Sequence, residues 1–153
     1  MRRLDIILGL LLCAGCVWTV GAAEARIIKV LPHYLDQQGR RALSPSLYER
    51  DAYQAQLRRH PQMQSTMRFD VQWKARGSFQ EPLRLRLELR TSRGDLAKPY
   101  QQEETVRPGR WFSRWSALTL KPALYRQIGE VLAWRVTLWE GNRQLAEQKS
   151  FLW

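Results

Sequence analysis

The sequence predicts a mainly β protein: an immunoglobulin-like antiparallel β-sandwich of about seven strands, with one helix inserted at about residues 44–59. Three observations lead to this class. Apolar and polar residues alternate over 67–75 and again over 83–89, as they do in half-buried strands. Turns that contain Gly or Pro separate the apolar runs. The 153 residues leave space for one domain after an N-terminal leader.

The leader has the pattern of a cleaved export signal. Arg2-Arg3 forms a basic start, an apolar run covers residues 6–20, and Gly21-Ala22-Ala23 supplies small side chains for cleavage. We therefore predict a signal peptide at 1–23 and a single domain at 24–153, located in the periplasm or secreted. Export separates this domain from ATP, NADH and chromosomal DNA.

Two alternatives would keep the domain at a membrane. Leu12-Cys13-Ala14-Gly15-Cys16 resembles a bacterial lipobox, so Cys16 is a candidate for lipidation, although Cys13 stands where that motif usually has leucine. An uncleaved signal would act as an anchor, although its apolar run is shorter than the ~20 residues that span a bilayer. We expect a membrane contact only in these two cases. Arg2-Arg3 also suits twin-arginine export, against which Asp5 argues.

Charge and cysteine content narrow the class of partner. Without residues 1–23 the chain keeps 23 Lys+Arg and 13 Asp+Glu (25 − 2 and 14 − 1), a net charge of +10. Such a domain attracts an anionic polymer, a lipid headgroup or an acidic protein of the cell envelope. No recognition motif accompanies the charge, so we expect no nucleic acid partner. Both cysteines lie in the leader, so stability must come from a packed core rather than from disulfides.

The first elements are a strand and the helix. The β-rich segment 26–35 predicts a strand that ends or bends at Pro32. Ser44 is the predicted N-cap of the helix, with Pro45 at its first position, and His60-Pro61 ends it. The helical spacing places three small or aromatic residues on one face: Tyr48, Ala52 and Ala55.

The next two strands carry the strongest pattern. Both alternate apolar with polar residues, and the connection between them contains Gly77 and Pro82. The predicted inward positions are Met67, Phe69, Val71, Trp73 and Ala75 on the first of these strands, and Leu83, Leu85, Leu87 and Leu89 on the second.

The last third of the chain predicts four further strands. They cover 100–106 (a polar edge strand), 115–120, 131–139 and 145–153, and a loop with a single helical turn precedes the third of them at 122–129. Leu132, Trp134, Val136 and Leu138 are the predicted inward residues of that third strand. Gly141 allows a tight hairpin before the last strand, which we expect to run to Trp153.

Four segments resemble a group of small exported bacterial proteins of the Verrucomicrobia kind. They are Lys29-Val30-Leu31-Pro32-His33, residues 43–54, Arg68-Phe69-Asp70-Val71-Gln72-Trp73 and the tail at 146–153. The resemblance covers the predicted mature chain. That group has no assigned activity, so the resemblance implies no catalytic residue.

Catalytic and metal-binding patterns are weak. His33 and His60 are the two histidines, they lie on separate predicted elements, and no cysteine joins them in the mature chain. No serine lies in a Gly-x-Ser-x-Gly turn, and the adjacent Glu103 and Glu104 would point to opposite faces of a strand. We therefore expect no cofactor, no metal and no enzymatic activity.

One candidate binding surface follows from strand order. In an immunoglobulin-like sheet the strands at 83–89 and 131–139 are neighbours, so their outward residues share a face. We define this arginine face as Arg84, Arg86, Arg90 and Arg135 with Trp139. It is a candidate platform for anions; the plainer interpretation is an ordinary charged surface in which Glu88 takes part.

A second candidate patch interleaves arginines with aromatic residues at 107–115. Its residues are Arg107, Arg110, Trp111 and Arg114, with Phe112 and Trp115 between and beyond them. Arginines bind phosphate or carboxylate, and aromatic rings stack on sugars or receive cations. The interpretation that we favour at this point is structural: Trp111 or Phe112 closes the end of the sandwich and Trp115 packs in the core.

The sequence therefore favours an exported, non-catalytic binding protein of the cell envelope whose basic face recognises an anionic polymer, a lipid headgroup or an acidic protein. An alternative is a structural or assembly subunit that pairs through its last strand, placed at a sheet edge. A hydrolase is a weaker third interpretation.

Overall fold

The computed structural model describes residues 23–153, which form seven strands and two α-helices. The predicted leader and Cys16 therefore lie outside the described residues, apart from Ala23. In chain order the elements are β1 (Glu24–Asp36), α1 (Leu47–Arg59), a 3-10 turn (Pro61–Met63), β2 (Gln64–Arg76), β3 (Leu83–Thr91), β4 (Tyr100–Val106), β5 (Arg114–Thr119), α2 (Pro122–Ile128), β6 (Val131–Glu140) and β7 (Arg143–Lys149).

The strands form two antiparallel sheets, with the orders β1-β2-β5 and β4-β3-β6-β7. This arrangement confirms the predicted seven-strand β-sandwich, including the adjacency of β3 and β6. The fourth strand belongs to the larger sheet, whereas constant-type immunoglobulin domains place it with the first, second and fifth strands. The larger sheet therefore has four strands, and the arginine face lies on its outer side.

The core lies between the sheets and follows the alternation in the sequence. All nine predicted inward residues of β2 and β3 are buried. Trp73 is completely enclosed, and its indole Nε1 donates a hydrogen bond to Ser116 Oγ on β5 at 3.0 Å. The rings of Phe69 and Trp134, which belong to opposite sheets, pack edge to face with their centroids 6.4 Å apart. Enclosing each large side chain contributes about 1.5–3 kcal/mol to folding.

The alternation predicted for β6 is broken near its start. The register between β3 and β6 shifts between Arg90 and Thr91, so Val131 rather than Leu132 is paired with the buried Thr91. Val131 packs against the core and Leu132 is 45% exposed, which corrects the prediction that Leu132 faces the core. An extra residue at a β-bulge shifts which side chains face inward, and period-two counting cannot detect it.

Helix α1 occupies the predicted place between β1 and β2, but it begins later than predicted. Its N-cap is Ser46, whose Oγ accepts a hydrogen bond from Glu49 N, whereas Ser44 Oγ accepts one from Ser46 N. Ser46 and Glu49 have the Ser-x-x-Glu spacing of a capping box, a local signal that outweighs the Ser44-Pro45 pair.

The buried face of α1 also differs from the prediction. Tyr53 and Leu57 are the buried residues, whereas Tyr48 is 85% exposed. Tyr53 donates its hydroxyl hydrogen to Asp36 Oδ2 at 2.7 Å, at the end of β1. A polar contact with the strand therefore selects the face, which the spacing of Tyr48, Ala52 and Ala55 does not predict.

Three further boundaries differ from the predictions. Strand β1 continues through Pro32, which the sheet tolerates because β1 is an edge strand. Residues 122–128 form a seven-residue helix rather than a single turn. The last strand ends at Lys149, because Ser150 binds back to Trp134: its N–H donates to Trp134 O and its Oγ accepts from Trp134 N. The predicted strand to Trp153 is therefore wrong.

Candidate functional site

The arginine face is assembled as its strand order predicts. Arg84 and Trp139 are paired residues of β3 and β6, and Arg86 is paired with Thr137. Trp139 Nε1 donates a hydrogen bond to Thr137 Oγ1 at 2.7 Å, which orients its ring along the strand. All five predicted residues lie on the outer side of the four-stranded sheet, opposite the core leucines of β3.

Carboxylates from neighbouring strands occupy three of the four guanidinium groups. Arg84 and Arg86 both bind Glu103 of β4, with N–O distances of 2.9 and 2.6 Å. Arg135 binds Glu88 in a two-point contact at 2.6 and 3.0 Å. The hydrogen bond from Arg86 lowers the pKa of Glu103, and the hydrogen bond to Glu88 raises the pKa of Arg135. These groups are charged pairs rather than isolated cations.

Tryptophan rings cover three of the four guanidinium groups of the arginine face. Arg86 Cζ lies 4.5 Å from the ring centroid of Trp139. Arg90 and Arg135 both lie over Trp153, at 4.5 and 4.8 Å from its centroid. Cation–π contacts therefore tie the end of the chain to the arginine face. The sequence predicts a strand at Trp153 and contains no local signal for this contact.

The patch at 107–115 has the opposite character. Within residues 23–153, none of Arg107, Arg110 and Arg114 lies within 4.0 Å of a carboxylate oxygen. The loop between β4 and β5 carries the first two of them, and Arg114 begins β5. Their guanidinium groups are thus available for an external anion, unlike those of the arginine face.

The aromatic residues of this patch are exposed. Trp111 is 71% exposed, Phe112 82% and Trp115 53%. The favoured expectation that they close the sandwich or pack in the core is therefore wrong. Trp115 is paired with the outward-facing Gln72, so its side chain lies on the outer face of the smaller sheet.

The core at this end is complete without these three aromatic rings. Trp73, Ala75 and Val106 are buried there, and Phe79 packs against them. We define the exposed set of Arg107, Arg110, Trp111, Phe112, Arg114 and Trp115 as the arginine–aromatic patch. Arg110 and Trp111 also line a shallow groove of about 410 Å³ together with Arg76 of β2. The groove adds a further cation to the patch.

A buried polar cluster lies on the outer side of the smaller sheet. Asp70 of β2 binds Arg68 at 2.7 Å and also binds Arg41. His33 is buried beside it, with Nε2 3.5 Å from Asp70 Oδ2, and burial lowers the pKa of the imidazole. The cluster ties the segment before α1 to the sheet. Among the residues that the structure describes, no three His, Cys, Asp or Glu side chains are grouped to hold a metal ion.

No family model, curated protein or solved structure matches the chain. The resemblance to small exported bacterial proteins therefore stays a prediction. No helix within residues 23–153 is long and apolar enough to cross a membrane.

Proposed function

We propose that the chain is an exported, non-catalytic binding protein that attaches to an anionic surface of the cell envelope through its arginine–aromatic patch. One observation supports this most directly: three arginines without a carboxylate partner within residues 23–153 share the short segment 107–115 with three exposed aromatic rings. A cation that has no internal partner keeps its full capacity for an external one.

The chemistry of the patch favours a lipid headgroup over the other anionic ligands. Arginine binds phosphate through paired hydrogen bonds. Trp and Phe side chains that are exposed by more than two thirds, such as Trp111 and Phe112, present apolar surface that a polyanion would leave in water. At a bilayer surface these rings enter the headgroup region while the arginines meet phosphate.

The arginine face is the weaker site because its groups are already engaged. An anion that bound Arg84 or Arg86 would compete with Glu103, and one that bound Arg135 would compete with Glu88. Competition of this kind reduces the net gain from each contact. The sequence-based hypothesis of an anion platform at this face therefore ranks behind the arginine–aromatic patch.

Vesicle binding tests the proposal. The exported chain is mixed with zwitterionic vesicles and with vesicles that contain phosphatidylglycerol, and the bound fraction is measured by co-sedimentation. Each arginine near an anionic surface contributes about 1 kcal/mol, so the variant R107Q/R110Q/R114Q should bind about 100-fold more weakly. The matched control, R84Q/R86Q, changes two arginines that already have partners and should bind as the unaltered chain does.

Two results would contradict this assignment. Equal vesicle binding by R107Q/R110Q/R114Q and the unaltered chain would exclude the arginine–aromatic patch as the binding site. Loss of vesicle binding in R84Q/R86Q alone would assign the binding site to the arginine face. A soluble acidic polysaccharide that binds through the patch, while phosphatidylglycerol vesicles do not, would replace the lipid by a polymer as the ligand.

The assembly alternative has one supporting observation. Strand β7 lies at the edge of the four-stranded sheet, as that alternative requires. However, β7 also packs beside β1 of the other sheet, which limits the approach of a partner strand. Light scattering after size-exclusion chromatography at several concentrations separates the cases, because pairing through β7 predicts a mass that rises with concentration.

A further inference from the structure

A second cleft lies at the end of the sandwich opposite to the arginine–aromatic patch. β5 runs from Arg114, beside the patch, to Thr119, and α2 follows at the far end. There α2, the 3-10 turn and the end of β1 surround an open cleft of about 730 Å³. This volume lies within the range of about 300–1,000 Å³ that is typical of small-ligand sites.

Three arginines from three different segments line the cleft. Arg58 lies in the last turn of α1, Arg93 lies in the connection between β3 and β4, and Arg126 belongs to α2, while Glu130 supplies a carboxylate. Within the described residues, none of the three arginines has a carboxylate oxygen within 4.0 Å. The lining therefore has an excess of positive charge, and the folded chain brings together cations that are far apart in the sequence.

A hydrogen bond within the protein holds one of these cations in place. Arg93 Nη1 donates a hydrogen bond to Arg126 O at 3.0 Å, which joins the two segments. Gly129, with φ of +77°, ends α2 beside them, and a Cβ at this position would lie 2.5 Å from Ser92 Oγ and 3.0 Å from Arg93 Cγ. Only glycine allows this approach without displacing Arg93 or Ser92.

The neutral part of the lining consists of tyrosines and carboxamides. Tyr125 donates its hydroxyl hydrogen to Gln64 Oε1 at 2.8 Å, and Gln64 Nε2 donates to Leu57 O at 2.7 Å. Gln37 Nε2 donates to Gln64 O at 3.0 Å. Tyr34 completes the aromatic lining. Burial raises the pKa of Tyr125 from 10.0 to about 12, so its phenol keeps the proton further into the alkaline range. The orientation of these groups is set before any ligand arrives.

We infer that this cleft binds an acidic saccharide, a short chain of sugar rings that carry carboxylates. Aromatic rings cover the apolar faces of sugars, carboxamides and phenols exchange hydrogen bonds with sugar hydroxyls, and arginines bind carboxylates in a two-point contact. Within residues 23–153 the Tyr34 hydroxyl and the Gln62 carboxamide of the lining make no hydrogen bond, and a compact anion without a ring would leave both unused. This site is separate from the arginine–aromatic patch, so it goes beyond the proposed attachment.

Calorimetric titration of the exported chain with trigalacturonate tests the inference, with maltotriose as the neutral probe. Trigalacturonate should bind at least about ten-fold more tightly than maltotriose. R93Q and R126Q should each weaken trigalacturonate binding by about ten-fold or more, the usual effect of losing a hydrogen bond between charged groups. The matched control is R59Q, because Arg59 is the exposed neighbour of Arg58 on α1 and does not line the cleft.

The outcomes separate this inference from the proposed function. R107Q/R110Q/R114Q should keep its affinity for trigalacturonate, and R93Q should keep its affinity for anionic vesicles. No binding of trigalacturonate by the folded chain, equal binding of maltotriose, or an equal loss in R59Q and R126Q would each overturn the inference. Circular dichroism of every variant establishes that the fold is retained, and Tyr125→Phe provides an uncharged second variant, expected to weaken binding of both sugars.

Discussion

Replacing Trp153 by alanine tests whether the arginine face is a structural element. The Trp153 ring receives both Arg90 and Arg135, at 4.5 and 4.8 Å from its centroid. A cation–π contact at an exposed site contributes about 0.5–1 kcal/mol, so the loss of two should lower the free energy of unfolding by about 1–2 kcal/mol. For a domain of this size that corresponds to a fall in Tm of roughly 3–10 °C.

The measurement is urea unfolding followed by far-ultraviolet circular dichroism, because removing a tryptophan would alter a fluorescence signal. Phe151→Ala is the matched control. Phe151 is fully exposed two residues before Trp153, so its removal should change the stability by no more than about 0.5 kcal/mol. The difference between the two variants isolates the contacts of Trp153 from any general effect of shortening an aromatic side chain.

A double-mutant cycle makes the test specific to one contact. Arg90→Met keeps much of the side-chain length but removes the charge, and the pair R90M and W153A should show a coupling energy of about 0.5–1 kcal/mol. If W153A unfolds at the same urea concentration as the unaltered chain, or if the coupling is zero, Trp153 does not stabilise the arginine face. The four arginines of the arginine face would then again be candidates for contacts with a ligand.

Three further predictions concern the fold. Leu87→Ala, in the completely enclosed centre of β3, should lower the free energy of unfolding by about 2–5 kcal/mol in urea, whereas the exposed Leu96→Ala should change it by less than about 0.5 kcal/mol. Burial opposes ionisation of Asp36, but hydrogen bonds from Arg40 and Tyr53 outweigh burial and lower the pKa from 3.8 to about 2. The stability that these hydrogen bonds contribute above pH 3.8 should be lost as the pH falls towards 2. In Asp36→Asn the urea midpoint should therefore depend less on pH over that range. Gly129→Ala should destabilise by about 1–3 kcal/mol in thermal unfolding, and an unchanged Tm would contradict the requirement for a positive φ.

The parts of the fold that were predictable are those that the chain encodes locally. The alternation in β2 and β3 places nine inward residues correctly, because successive side chains of a strand point to opposite faces. The bounds of β4 follow from its polar segment between two turns. The parts that were not predictable depend on contacts between distant residues. Trp115 is exposed because its register with Gln72 points it outward, and that register is set between two strands.

Helix α1 illustrates the same limit at a smaller scale. The capping box at Ser46 and Glu49 is present in the sequence and was available as a signal, so the late start of the helix was predictable in principle. The buried face of α1 was not predictable, because apolar residues are scattered around the helix. Its packing depends on the hydrogen bond from Tyr53 to Asp36, seventeen positions earlier. When the amphipathic pattern is sparse, tertiary contacts determine which face of the helix is buried.

The two basic surfaces show why counting arginines does not locate a binding site. Arg86 and Arg110 are equally visible in the sequence, and each has a tryptophan beside it, Arg110 in the chain and Arg86 in the folded sheet. What separates them is the residue across the sheet: Arg86 is paired in register with Glu103, whereas the loop that carries Arg110 brings no carboxylate to it within residues 23–153. A cation that is paired in the folded protein must lose that partner before it binds another, so affinity depends on the unpaired group. The register of β4 on β3 therefore decides which of the two surfaces is available to an anionic ligand.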